Sequence, residues 1–251
     1  MANQLSGKVA IITGAARNQG RAYSQMLASE GANVMIHYHS ASAGEEAEET
    51  ARLVREQGAE AELFEGDLAQ VAVVEDLFQR TIERFGGVDI LINNAGVVIK
   101  KPMAEMTEED YDRAFGINAK AAFFTMREAA KHLRDNGRVI NMGTTLLGAT
   151  TGFYGVYAGS KAPLEHFSRA LAKEIGDRGI TVNVVAPGPL DTSFFYPAET
   201  DESVEFLKHM SVSGELGKVE DIVPLVRFLA LPEGQWVTAQ TMFINGGFVA
   251  R

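Results

Sequence analysis

Tyr157 and Lys161 stand four residues apart in the run YAGSK, a spacing that places two side chains on one face of a helix. A phenol with a pKa of about 10 is a poor base at neutral pH, and an adjacent ammonium stabilises the phenolate and lowers that value. Such a pair can hand a proton to an oxygen or take one back. The competing reading is two solvated neighbours on a helix surface. Tyr154 is a decoy, because four residues beyond it lies Ala158.

A second chemical feature lies near the start of the chain. In TGAARNQGRA, Gly14 closes an apolar run and Gly20 opens an amphipathic one. A turn there brings backbone amides and a helix N-terminus onto a pyrophosphate, which tolerates little side-chain bulk. Turn geometry alone is the other reason for such glycines. In many dinucleotide sites an acidic residue at the end of the second strand binds the adenosine ribose and would repel a 2'-phosphate. The corresponding stretch here is His37, Tyr38, His39, Ser40, and Arg17 sits within the glycine loop. A guanidinium pairs bidentately with phosphate, so NADP is favoured over NAD. The plainer alternative is a solvent-facing arginine beside an ordinary strand end.

These groups need elements to position them. Short apolar runs alternate with longer amphipathic stretches, the pattern of an α/β fold with a parallel sheet covered on both faces. Strands are predicted at Val9 to Ile12, Asn33 to Tyr38, Ala61 to Phe64, Val88 to Ile92, Arg138 to Met142, Thr181 to Val185 and Thr241 to Ile244. Helices are predicted at Arg21 to Ser29, Gly44 to Gln57, Val71 to Phe85, Thr107 to Phe115, Ala119 to Arg134, Tyr157 to Gly176 and Val219 to Leu229. No internal repeat or linker breaks the pattern, so residues 1–251 are expected to form one domain. The least regular stretch, 191–217, carries Phe194, Phe195, Tyr196 and Phe206 and is the candidate substrate lid.

Composition removes several classes of function. Asp and Glu number 33 against 23 Lys and Arg, a formal net charge of -10, which disfavours nucleic acid and anionic membranes as partners. Cysteine is absent, which excludes disulfides, thiolate nucleophiles and cysteine-ligated metals. The five histidines include no HxxxH pair, and alternation of His37 and His39 is weak support for a metal. The start of the chain lacks a basic stretch followed by an apolar core, and no apolar run of about 18 residues occurs. A soluble, cytoplasmic protein is expected.

The ordered set of motifs resembles the short-chain dehydrogenase/reductase family, of the classical type, across essentially the whole chain. The residues that carry the resemblance are TGAARNQG, Asp67, Asn93-Asn94-Ala95-Gly96, Asn118, Thr144, the run Tyr157 to Lys161, Pro187-Gly188 and Asn245-Gly246-Gly247. The resemblance implies a Rossmann-type, doubly wound, seven-stranded parallel sheet, assembled as a homotetramer. It implies that Gly14, Arg17, Asn18, Gln19, Gly20, His39 and Ser40 serve the phosphates and adenosine of NADP(H). Asp67 and Leu68 would line the adenine site, and Asn94, Ala95 and Gly96 would contact the cofactor. Lys161 would hold the nicotinamide ribose as well as tune Tyr157, and Asn118 would bind a water relaying protons to Lys161. Pro187 and Gly188 would border the nicotinamide, with Thr192 on its carboxamide.

Two positions depart from the family's commonest pattern. Asn18 replaces a glycine, and asparagine is the non-glycine residue best suited to positive φ. Thr144 replaces a serine, keeping the hydroxyl while stiffening χ1; Thr145 is the competing candidate. The expected reaction is hydride transfer between NADP(H) and a small-molecule carbonyl or secondary alcohol, as in carbonyl or 3-oxoacyl reduction. A sugar or polyol dehydrogenase using NAD(P), and a catalytically weak nucleotide-binding scaffold, are the alternatives. Leu146, Leu147, Phe153, Phe194 and Phe195 suggest an apolar pocket, with a core role the other reading of each.

Overall fold

A computed structural model describes residues 3–250; Met1, Ala2 and Arg251, the ends of the expected 1–251 span, lie outside the described residues. Seven parallel strands form one sheet: β1 (Val9–Ile12), β2 (Asn33–Tyr38), β3 (Ala61–Glu65), β4 (Val88–Asn93), β5 (Leu133–Met142), β6 (Thr181–Pro187) and β7 (Thr241–Ile244), in the order β3-β2-β1-β4-β5-β6-β7. This is the doubly wound, Rossmann-type arrangement expected from the sequence. The order reverses between β1 and β4, which opens a crevice at the carboxyl ends of those strands.

The helices are α1 (Asn18–Ser29), α2 (Gly44–Glu56), α3 (Val71–Phe85), α4 (Glu108–Phe115), α5 (Ala122–His132), α6 (Gly155–Lys161), α7 (Pro163–Glu174), α8 (Asp201–His209) and α9 (Val219–Ala230). Period-2 alternation divides the strand side chains between two cores. Ala10, Ile12, Val34, Ile36, Ile90 and Ile92 pack toward α1, α2 and α9. Ile11, Met35 and Leu91 point to the opposite face, against α3, α5 and α7. Continuous burial on both faces is why these strands read as uninterrupted apolar runs.

Several elements differ from the sequence-based expectation, among them α8, which lies inside the stretch read as least regular. The stretch expected as one helix from Ala119 to Arg134 is a π-helical turn (Gly116–Ala121) followed by α5, and Leu133 already belongs to a strand. The fifth strand begins at Leu133 rather than Arg138 because Leu133 pairs with Val88 and Arg138 with Ile90, leaving an irregular bulge in which Asn136 adopts φ 63°. The helix expected from Tyr157 to Gly176 is divided into α6 and α7 at Pro163, which has no N–H to donate to the preceding turn. Among the described residues no helix is long and apolar enough to cross a membrane, and no cluster of His, Asp and Glu could hold a metal.

Candidate active site

The loops at the carboxyl ends of the strands enclose a cleft of about 1100 Å³. Its floor is the turn between β1 and α1. Gly14 adopts φ 63°, and its amide donates to His37 Nδ1 at 3.2 Å. The other ring nitrogen of His37 lies 2.9 Å from the Gly66 carbonyl, which assigns the neutral tautomer with the proton on Nε2. A Cβ on Gly20 would sit 2.3 Å from the Gly14 oxygen and 2.7 Å from Ala15 Cα, so the turn closes only around glycine. Asn18 takes φ 48°, the left-handed conformation its type tolerates. Its amide also bonds Ser193 Oγ at 3.0 Å, joining the turn to the 191–217 segment.

The sequence places His37 on the second strand, but its inward orientation and its role under the glycine turn emerge only with the sheet. Burial lowers its pKa to about 4. The unfolded chain takes up a proton near pH 6.5 and the folded one only near pH 4, so acidification through that window favours unfolding. Wild-type stability is expected to fall by on the order of 3 kcal/mol between those pH values, and His37→Asn is expected to abolish that component. Denaturant midpoints across the window would check this; an unchanged slope in the variant would count against it.

At the adenosine end, Arg17, His39, Asp67 and Leu68 line the cleft, while Ser40 is half-buried, does not line it, and pairs with Ser42. The second strand lacks an acidic terminus, but α2 brings Glu46 to 3.1 Å from Arg17 Nη1. Both partners are exposed, and such a pair is worth at most about 1 kcal/mol, so Arg17 is readily exchanged to another anion.

Beyond the turn, β4 ends in residues that knit the crevice together. Asn94 Nδ2 donates to the Thr13 and Gly14 carbonyls at 3.0 and 2.9 Å, and the amides of Asn94 and Ala95 both donate to Thr13 Oγ1 at 3.0 Å. Asn93 faces inward instead, bonded to Asn141 and Thr125. A Cβ on Gly96 would lie 3.2 Å from Asn118 Oδ1 and 3.3 Å from Lys161 Nζ. That close approach brings β4, the π turn and α6 to one point.

Asn118 lies in the π turn, a widened geometry often found at functional sites. Its side chain clamps the Val97 backbone, accepting from Val97 N and donating to Val97 O, both at 2.9 Å. It also donates to Ser160 Oγ at 2.9 Å. Both amide protons are therefore committed to protein acceptors. Ser160, which the sequence reading did not single out, donates in turn to the Tyr157 carbonyl at 2.8 Å.

Tyr157 and Lys161 are both buried, on the face of α6 that covers the end of β5. Thr144 lies beside the Tyr157 phenol and favours its ionised form, its oxygen accepting from Leu146 N at 3.3 Å, whereas Thr145 turns to the Ala186 carbonyl at 3.3 Å. Geometry thus separates the two threonines. Burial pushes the Tyr157 phenol up to about 12, opposed only by the neighbouring Thr144 side chain. The depression expected from Lys161 is not among the influences on it. Lys161 Nζ instead donates to the Met142 carbonyl at 2.7 Å, and burial lowers its pKa to about 8.

Pro187 ends β6 and is buried, Gly188 N donates to the Ile244 carbonyl at 3.0 Å, and Thr192 is buried at the start of the 191–217 segment. Of the apolar candidates, Phe194 lines the cleft, whereas Phe153 is 58% exposed and belongs to no core. Val98, Ile99, Lys100 and Arg113 also line it; no local motif marked them.

A dinucleotide fits these residues on three structural grounds. Gly14 and Gly20 leave no room for a Cβ in the turn, α1 has no acidic residue in its first turn, and a buried ammonium keeps two of its three donors free beside Gly96.

Comparison with known proteins agrees with this geometry. The family model described as enoyl-(acyl carrier protein) reductase matches residues 14–249. A short-chain type dehydrogenase/reductase of Picea abies is 40% identical over 255 residues, covering 98% of this chain and 93% of its own. The hydroxynaphthalene reductase-like protein Arp2 of Metarhizium brunneum is 37% identical, covering 98% and 96%. A solved structure from Burkholderia cenocepacia, named a "putative dehydrogenase" and carrying bound NADP, superposes with a TM-score of 0.97 at 47% identity over 100% of this chain and 97% of that one. With the strand order, the glycine turn and the buried Tyr157 and Lys161 already placed, these likenesses make the chain a member of the short-chain dehydrogenase/reductase family of oxidoreductases.

Proposed function

We propose that the protein is an NADP(H)-dependent carbonyl reductase in which Tyr157 delivers the proton and Thr144 orients the substrate oxygen. The observation that carries this reading is the burial of Tyr157, Lys161 and Thr144 together, with Thr144 beside the Tyr157 phenol. A protonated phenol is a competent general acid, and the phenolate it leaves on donation needs stabilisation from the groups around it.

When bound, the cofactor supplies the hydride. As negative charge grows on the carbonyl oxygen, Tyr157 donates its proton there and the Thr144 hydroxyl holds that oxygen in place. Lys161 stabilises the resulting phenolate and directs its spare donors to the ribose hydroxyls. Asn118 fixes the Val97 backbone and α6, so its contribution to the relay runs through position rather than through its committed amide protons. Gly14, Asn18, Gln19 and Gly20 seat the pyrophosphate, while Asn94, Ala95, Gly96, Pro187, Gly188 and Thr192 frame the nicotinamide. The 191–217 segment covers the substrate. A panel of ketones and 3-oxoacyl thioesters supplied with NADPH tests the reading. Consumption of NADPH with formation of the alcohol is expected; failure across the panel despite NADPH binding would favour the catalytically weak scaffold.

Preference for NADP is supported by Arg17 and His39 at the adenosine edge and by NADP or NADPH bound in similar solved structures. Arg17→Ala is expected to weaken NADPH binding by about 10- to 100-fold, the loss of a charge-assisted contact, and to leave NADH binding within about 3-fold. The variant also bares Glu46 to the 2'-phosphate, which adds to the loss. Titration calorimetry with both nucleotides decides this, and equal weakening of the two would remove Arg17 from the phosphate site.

A further inference from the structure

The segment 191–217 leaves the sheet after β6 and returns to the same place. Asp191 N donates to the Gly217 carbonyl at 2.8 Å and Gly217 N to the Pro189 carbonyl at 3.0 Å. Between these ties Ser193, Phe194, Pro197 and Ala198 line the cleft. Directly after them comes Glu199, whose side chain is only 1% exposed. A carboxylate removed from water is costly unless its oxygens are satisfied.

Glu199 is satisfied by groups from separate parts of the chain. Lys100 Nζ, in the loop after β4, lies 2.5 Å from Oε2. The Tyr154 hydroxyl, just ahead of α6, donates to Oε1. Ser203 Oγ, in α8, lies 2.5 Å from Oε2. Lys100 Nζ is also 5.1 Å from the centre of the Tyr154 ring, and that ring lies 6.2 Å from the ring of Tyr157. Burial and the Glu199 acceptor push the Tyr154 phenol up, so it remains a donor. Tyr154 is thus more than a decoy for the proton donor: it stands beside Tyr157 and ends on the segment that crosses the cleft. None of these groups is needed for the proton or hydride steps described above.

We propose that Glu199 is a positioning residue that fastens the 191–217 segment across the cleft through Lys100 and fixes Tyr154 as the pocket wall beside Tyr157. The proposal rests on the reductase reading for its effect on substrate, but the fastening itself does not. Losing the carboxylate frees the segment and the Tyr154 ring while leaving Thr144, Tyr157 and Lys161 in place. The ketone is then held less well, and the chemistry once it is bound changes little.

Two variants test this, Glu199→Gln and the milder Tyr154→Phe, which removes a single donor and guards against misfolding of the first. Hydrogen exchange is measured on ligand-free protein, and KM and kcat with NADPH and the ketone wild type reduces best. Amide exchange over 191–209 is expected to accelerate about 10-fold or more, equivalent to the loss of one charge-assisted contact, with β1 and β4 unchanged. KM for the ketone is expected to rise about 10-fold, with kcat and the NADPH KM within about 3-fold. Unchanged exchange over 191–209 in both variants overturns the fastening. Faster exchange with an unchanged ketone KM overturns the positioning role. If wild type reduces no ketone, the reductase reading fails while the exchange result still decides the fastening.

Discussion

Tyr157→Phe is expected to lower kcat for ketone reduction by about 10²- to 10⁴-fold, the range that positioned general acid catalysis contributes. NADPH should bind within about 3-fold of wild type, because the ring and its packing are kept and only the hydroxyl is lost. The removed oxygen is a buried polar group with Thr144 beside it, so the stability change is expected to stay within about 1 kcal/mol. Stopped-flow turnover together with nucleotide titration separates the two effects. Retention of more than about a tenth of wild-type kcat would assign proton donation to another group, and Tyr154, 6.2 Å away ring to ring, would be first to examine.

Lys161→Met is expected to divide function from stability in opposite directions. The ammonium is buried, hydrogen-bonded to the Met142 carbonyl and lowered to about pKa 8 by desolvation. In the unfolded chain it titrates near 10.5, so between those values the unfolded state binds more protons and stability rises with pH. Below pH 8 the folded protein carries the full cost of a buried charge. Methionine removes that cost and keeps the length of the side chain, so stability at pH 7 is expected to rise by roughly 1–2 kcal/mol after the lost hydrogen bond is deducted. The gain should shrink as pH approaches 10. Activity should move the other way, with kcat lower by about 10²-fold or more and a raised KM for NADPH, since both the phenolate and the ribose lose their cationic partner. A variant both less stable and fully active would show that Lys161 is a structural residue only.

Much of the scaffold was legible because it is written in local periodicity. β1, β2, α3 and β7 have the predicted bounds, as short apolar runs and amphipathic stretches require. Tyr157 and Lys161 were visible as an i,i+4 pair, and the positive φ at Asn18 follows from its residue type. What escaped the sequence depends on contacts distant along the chain. The π turn at Gly116–Ala121 is tied down through Asn118 to Val97 and Ser160, and nothing in GINAKA itself marks a widened turn. Arg17 meets Glu46 only because α2 packs beside α1. The Glu199 cluster joins residues separated by as many as 99 positions.

The direction of the Tyr157 shift was likewise hidden. Spacing to Lys161 suggests a lowered phenol pKa, whereas the fold buries the ring and directs the ammonium to Met142, so desolvation prevails. That outcome changes the chemistry expected of the site: the phenol stays protonated at neutral pH, and proton donation requires the phenolate left behind to be stabilised by its surroundings.

The central claim is that this site passes hydride to a carbonyl carbon while Tyr157 protonates its oxygen. The direct measurement is transfer of label from NADPH deuterated at the transferable C4 position to a ketone, with the product alcohol analysed by mass spectrometry and NMR. Wild type is predicted to place deuterium on the carbinol carbon on one face only, and Tyr157→Phe to form no labelled alcohol on the same timescale. Unlabelled alcohol from wild type, or equal labelling by both proteins, would contradict the account.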